Sequence, residues 1–424
     1  LENFKTKTNG NSRYLMNKIN KPETFYGLPS EVTFCKKCVI SNQRPNSVVE
    51  FKNKPSDTKE VIAIGEDGIC SACHYNEVKN KIDWNDRELQ LIELCKKIKK
   101  DSKSYYDCIV PGSGGKDSAY TAHVLKYKYG LNPLTVTWAP HLYTDIGWKN
   151  FENWSHEGGL DNILFTPNGK LHRVLTKLAF INLCHPFQPF IIGQKLIGPK
   201  IANKFGVKYV FYGENQAEYG NNIDDNKKET MDQKFFVEKK NIDILYGGAT
   251  KKEIIENYSF KECDFTPYEP LPDARHATVF HYLGYYLKWD PQECYYYAAK
   301  HTGFKANIER TEGSYSKYSS IDDKIDPFHY YTTLTKFGLG RASYDAAQEI
   351  RNDKIDRNEG INLVNLYDQE FPKKYFTEFL DYISINEDYF YEVIDKFRSP
   401  HLWTKDVNSD WKLRHNISKT GLDD

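Results

Sequence analysis

Short apolar runs alternate with amphipathic stretches through the first half of the chain. The runs at 107–110, 134–138, 162–165 and 208–212 are rich in β-branched and aromatic residues and are bounded by turn formers, which predicts buried strands. Between them, 117–129, 147–157 and 170–182 repeat apolar positions at the helical period. Strand–helix alternation of this kind predicts a doubly wound α/β domain, a parallel sheet with helices on both faces. Upstream, 86–100 places Leu89, Ile92 and Ile98 on one stripe and predicts a helix. Beyond about residue 265 the pattern turns helical and aromatic, with helices predicted at 276–288, 291–301, 343–351 and 376–397. The expected division is a polar extension (1–30), a cysteine-bearing module (31–85), the α/β domain (86–265) and a mainly helical region for substrate or partner binding (266–424).

Composition narrows the class. Lys+Arg and Asp+Glu both number 58. A chain of zero net charge lacks the basicity of a non-specific nucleic-acid binder, and no nucleic-acid partner is expected. The 31 Tyr and 24 Phe are too much aromatic mass for a disordered chain. No window holds 18 apolar residues, so no membrane span is expected. Residues 1–20 are polar and lysine-rich, so no signal peptide is expected and the expected location is cytoplasmic.

Four of the nine cysteines form two C-x-x-C pairs, Cys35/Cys38 and Cys70/Cys73. Each pair can set two thiolates on one side of a metal, and two pairs complete a tetrahedral site with four sulfur ligands. Zn(II) suits that site best and an iron–sulfur cluster second. The pairs are 31 residues apart (39–69), longer than the usual zinc-ribbon spacing of about 15–20. Extra loop length adds only slowly to closure entropy. Four thiols leave no open coordination position, so the site is expected to be structural. His74 is a possible substitute ligand.

The first strand runs into Gly112-Ser113-Gly114-Gly115-Lys116-Asp117-Ser118 and then a helix. Glycines let backbone approach an anion closely, and the helix N-terminus offers free N–H groups. The spacing is neither G-x-x-x-x-G-K-[ST] nor G-x-G-x-x-G. The turn resembles the PP-loop of the ATP pyrophosphatases, S-G-G-x-D-S. The resemblance implies that Ser113, Gly114, Gly115, Lys116, Asp117 and Ser118 hold the phosphates of ATP, with Lys116, Asp117 and Ser118 acting in cleavage between the α- and β-phosphates. By the same resemblance Thr137 and Gly213, at the ends of later strands, lie near the nucleotide. The segment Gly213-Glu214-Asn215-Gln216-Ala217-Glu218 is similar to one that supplies a carboxylate to magnesium in NAD synthetases; here Asp117 and Glu218 are the implied ligands.

The layout as a whole is more specific. The C-K-K-C segment running on to Arg44-Pro45, the G-I-C-S-A-C segment, the glycine turn, 213–220, and the stretches 282–291, 310–318 and 338–351 together resemble the N-acetyl sugar amidotransferases of bacterial surface-polysaccharide and flagellar-sugar pathways. The resemblance runs from about Cys35 to Gly360. It implies conversion of an acetamido group into an acetamidino group, with ATP cleaved to AMP and pyrophosphate. It also implies Mg(II), and separate glutaminase and cyclase-like subunits that deliver ammonia. No glutaminase nucleophile turn is found in the chain itself. Asn215, Arg275, His276, Lys317 and Arg341 are the candidate sugar contacts, Arg and Lys being suited to a carboxylate or phosphate. The alternative is a tRNA-thiolating enzyme of the same superfamily with structural zinc, for which Cys184 and Cys263 are the candidate sulfur-handling residues.

Overall fold

The computed structural model describes residues 22–220, 228–238, 244–272 and 278–418. Five parallel strands form its centre, in the order β3-β2-β1-β4 and then Val279–Tyr282. They are β1 (Cys108–Pro111), β2 (Pro133–Trp138), β3 (Asp161–Phe165) and β4 (Tyr209–Tyr212). Cys108, Ile109 and Val110 are fully buried, as expected for a central strand covered on both faces. The strand order reverses between β1 and β4, and in open α/β sheets the carboxyl ends of strands at such a switch point form a crevice.

The predicted strands each appear to within a residue or so, and the intervening helices follow. They are α3 (Lys116–Tyr127), α4 (Asp145–His156) and α5 (Gly169–Leu183). Helix α6 (Gln188–Phe205) was not expected. Its face is apolar nearly all round and carries Pro199, so it shows no clean amphipathic period. Gly193 lets α6 lie against Trp138, because a Cβ there would run into the indole ring.

Two helical expectations are corrected. The helix expected at 276–288 is not found in its described part, 278–288: Val279–Tyr282 is the fifth strand and only Leu283–Tyr286 is helical. The run is short and apolar, a pattern in which the two periods are hard to tell apart. The stretch 376–397 is two helices, Phe376–Ile383 and Glu387–Lys396. Ser384, in the left-handed region at φ 53°, ends the first and Asn386 caps the second.

The cysteine pairs lie on a small module whose helix α1 (Ser71–Lys79) packs on the segment after β4. The Ser71 hydroxyl donates to the Gly220 carbonyl at 2.8 Å. Lys79 and Glu218, both nearly fully buried, form an ion pair at 2.8 Å. Helix α2 (Trp84–Asp101) is capped by the Asp83 carboxylate and leads back to β1. The C-terminal helices Asp326–Phe337, Arg341–Arg351 and Arg357–Tyr367 pack partly on this module, where the Arg357 guanidinium donates to the Cys38 and Cys35 carbonyls. No helix among the described residues is long and apolar enough to cross a membrane.

Candidate active site and metal centre

The glycine turn requires its glycines. Gly114 has φ +84°, and a Cβ there would lie 2.9 Å from the Asn150 carbonyl oxygen and from Phe151 Cα on α4. At Gly112 a Cβ would overlap that of Ser118. The chain thus folds tightly back against α4 and enters α3 at Gly115, whose missing side chain leaves the first-turn N–H groups uncapped. Ser118 is turned inward, its hydroxyl donating to the Gly115 carbonyl at 3.1 Å.

The turn opens into a cavity of about 550 Å³, within the usual range for a small-molecule site. Ser113, Gly115, Lys116 and Asp117 line it on one side, and Glu214, at the end of β4, joins them. The Lys116 ammonium donates to Asp117 Oδ2 at 2.5 Å, while Asp117 Oδ1 is buried without a protein partner. Burial opposes the charge on Lys116, but Asp117 more than offsets this and holds the ammonium above its ordinary range. Burial, and then the Asp117 charge, push Glu214 up; the Tyr219 hydroxyl donates to it at 2.7 Å. The result is a lysine among closely spaced carboxylates and free backbone donors, a setting suited to phosphates and a hard divalent cation. Asp117 and Glu214 would hold that cation.

The opposite wall comes from the C-terminal region. Asp322 lines the cavity together with Ser113, and burial raises its carboxyl. Asp326 also faces the cavity, and burial pushes it up to about 7. Arg341 lines the same wall, paired with Asp345 at 3.0 Å.

Other expected residues fall elsewhere. Glu218 does not line the cavity; it is committed to Lys79, and Glu214 occupies the corresponding position in the cavity. The expected N-x-x-E pairing has a helical basis, but the segment after β4 is a single 3-10 turn, Gln216–Tyr219, capped by Asn215. Asn215 is buried in that cap, its side chain accepting from Ala217 N–H at 3.0 Å. Thr137 is buried and accepts from Asn162 at 3.0 Å. Gly213 packs under Trp289, whose ring leaves no room for a Cβ. Lys317 is exposed and outside the cavity. Arg275 and His276 lie outside the described residues. Glu214 was legible as the first acid after a strand end, the position at which α/β folds place ligand groups.

The four module cysteines are fully buried and their sulfurs lie within 4.8 Å of one another. The Cys35–Cys73 and Cys38–Cys70 sulfurs are 3.9 and 3.7 Å apart. The edge of a tetrahedron with Zn–S bonds of about 2.3 Å is about 3.8 Å, so the donor set fits that metal. The backbone N–H groups of Lys37, Cys38 and Cys70 point at Cys35 Sγ at 3.3–3.4 Å, which favours thiolate. His74 is not among the four; it faces Asp67 at 3.2 Å on the surface. Cys184 lines the cavity, but burial pushes its thiol up to about 12, against a nucleophilic role. Cys263 is exposed.

Fold and site thus define an α/β domain with a glycine-rich strand-to-helix turn opening into a cavity, joined to a four-cysteine module and a helical C-terminal region. Residues 312–417 match the family described as LPS biosynthesis protein WbpG-like, C-terminal domain. That match supports the resemblance to the N-acetyl sugar amidotransferases. Over 81 residues the chain is 35% identical to an uncharacterized protein of Methanocaldococcus jannaschii, covering 19% of this chain and 28% of the length of that relative. Among solved structures, it is similar to the NH3-dependent NAD synthetase of Campylobacter jejuni, at 16% identity over 31% of this chain and 56% of that one, with a TM-score of 0.24.

Proposed function

We propose that the chain is an ATP-dependent amidotransferase acting on an N-acetylated bacterial surface sugar. One observation carries the reading. The glycine turn and residues of the segment that matches the WbpG-like family line a single cavity, with Gly147 on α4 packed against the Asp322 backbone.

In this reading the turn holds the β- and γ-phosphates of ATP. The acetamido carbonyl oxygen attacks the α-phosphorus, and the α–β bridging bond breaks with its electron pair leaving on pyrophosphate. Loss of the acetamido N–H proton to solvent leaves an O-adenylyl imidate. Ammonia attacks the imidate carbon, and the C–O bond then breaks with its pair leaving on AMP. The sugar retains an acetamidinium group. Splitting the exchange in two replaces a poor leaving group with a good one. Lys116 and the uncapped N–H groups of α3 neutralise charge on the departing pyrophosphate. A divalent cation between Asp117 and Glu214 would add to that neutralisation. Ammonia is scarce as the free base near neutral pH, so separate glutaminase and cyclase-like subunits supply it. The four-cysteine site holds zinc, and the chain works in the cytoplasm.

Mass spectrometry of reactions containing ATP, Mg(II), ammonium and a panel of N-acetylated nucleotide sugars and nonulosonic acids tests this. The expected product has one oxygen replaced by NH, with AMP and pyrophosphate formed in step. AMP release only upon adding tRNA and a sulfur donor would assign the chain to RNA thiolation instead.

A further inference from the structure

We infer that the end of the cavity away from the glycine turn is an anion subsite, formed by Lys59 and Lys336, for a carboxylate or phosphate carried by the sugar substrate. The inference rests on the sugar-amidination reading and deepens it.

The helix Asp326–Phe337 runs along the cavity wall. Asp326, His329, Tyr330, Thr333 and Lys336 line it, and this spacing of three and four residues is one face of a helix. Asp326 lies at the end nearer Ser113, through Asp322. Ten residues at about 1.5 Å each put Lys336 about 15 Å further on. The face thus begins acidic at the turn and ends cationic.

The lining cations separate into two groups. Lys116, Arg341 and Lys354 each pair with a carboxylate. No ion pair is found for Arg44, Lys59 or Lys336 among the described residues. Lys336 is buried and donates to the Leu183 carbonyl at 2.8 Å; Lys59 donates to Asn53 Oδ1 at 2.6 Å. Arg44 is only 6% exposed and its Nη1 has no partner. Its guanidinium sits 5.2 Å over Tyr344 and 5.9 Å over Tyr219.

Lys59 N–H bonds to the Tyr26 carbonyl, and the Lys336 ammonium lies 5.4 Å over the Tyr26 ring. Glu50 lines this end too, but His185 engages it at 3.4 Å. Burial, with Lys59 nearby, pushes Lys336 down to about 8. Glu50 is a carboxylate near both Lys59 and Lys336, and His185 shares it, so the cations at this end outnumber their counter-ions, which is costly until an anion enters.

The test uses calorimetric titration of the full chain with three probes: N-acetylglucosamine, N-acetylglucosaminuronic acid and UDP-N-acetylglucosamine. At least one anionic probe should bind ten-fold or more tighter than the neutral sugar. A preference for the uronic acid assigns the subsite to a carboxylate, and a preference for the nucleotide sugar assigns it to a diphosphate. Lys59→Gln and Lys336→Gln, made separately so that one misfolded variant does not decide the result, should each cut that preference at least five-fold. The affinity for α,β-methylene-ATP should change less than two-fold. Equal affinity for all three probes, no binding of any, undiminished preference in both folded variants, or a parallel loss of the ATP analogue would overturn the inference. Lysine-dependent anion binding without amidine formation would retain the subsite and reject the proposed reaction.

Discussion

Lys116 and Asp117 concentrate the chemistry of the glycine turn. In the proposed reaction one would supply positive charge to the phosphates; the other pairs with it and keeps an oxygen free. Lys116→Ala and Asp117→Ala should each lower pyrophosphate release at least about 100-fold while leaving one equivalent of metal on the four-cysteine module. Normal turnover in both variants would mean that ATP is cleaved elsewhere. Asp326 gives a pH signature. Its folded-state carboxyl titrates near 7, against about 3.9 in an unfolded chain. The stability gained by remaining neutral is therefore complete below about pH 4 and lost as pH rises through about 7. Asp326→Asn keeps the shape and removes the titration. In urea unfolding, the variant should gain on the parent steadily from pH 5 to pH 8; a difference that does not change with pH would contradict this.

At the scale of elements, α1 connects the four-cysteine module to the cavity. It leaves Cys70, carries Cys73, and ends at Lys79, which pairs with Glu218 four residues beyond Glu214. A buried pair costs most when only one partner is removed. Lys79→Met should destabilise the chain by about 3–5 kcal/mol, and Lys79→Met with Glu218→Met should recover part of that loss in thermal unfolding. Cys70→Ser, or stripping the metal with a chelator, should raise hydrogen exchange in 35–79 and in 214–220, while β1 and β2 stay protected. Unchanged exchange in 214–220 would show that the module does not brace the site. Such coupling would explain why a four-cysteine cluster able to hold a metal sits beside a cavity that it does not line.

For the molecule as a whole, the closing contact is between the two halves of the cavity. Gly147 on α4 lies against Asp322, where a Cβ would collide with the Asp322 backbone. The 320–323 segment is further held by Asp323, which accepts from the His141 backbone N–H and its ring at 2.7 Å. Gly147→Ala should push that segment away, lowering stability by about 1–3 kcal/mol and speeding proteolysis within 312–325. An unchanged cleavage pattern would indicate that the wall adapts without opening.

The β1–α3 turn, the first four parallel strands and the four clustered thiols were legible along the chain, because each depends on local spacing. Strand burial gives continuous apolar runs, a tight turn needs glycine, and a C-x-x-C pair is complete within four residues. The fifth strand and α6 were not legible, because their apolar runs carry no period that separates them from alternatives. Long-range geometry decided the rest. Glu214 rather than Glu218 faces the turn because a 3-10 segment sets the register and Lys79, from a distant part of the chain, claims Glu218. Lys59 and Lys336 come from separate segments, and only packing brings their charges together in the cavity.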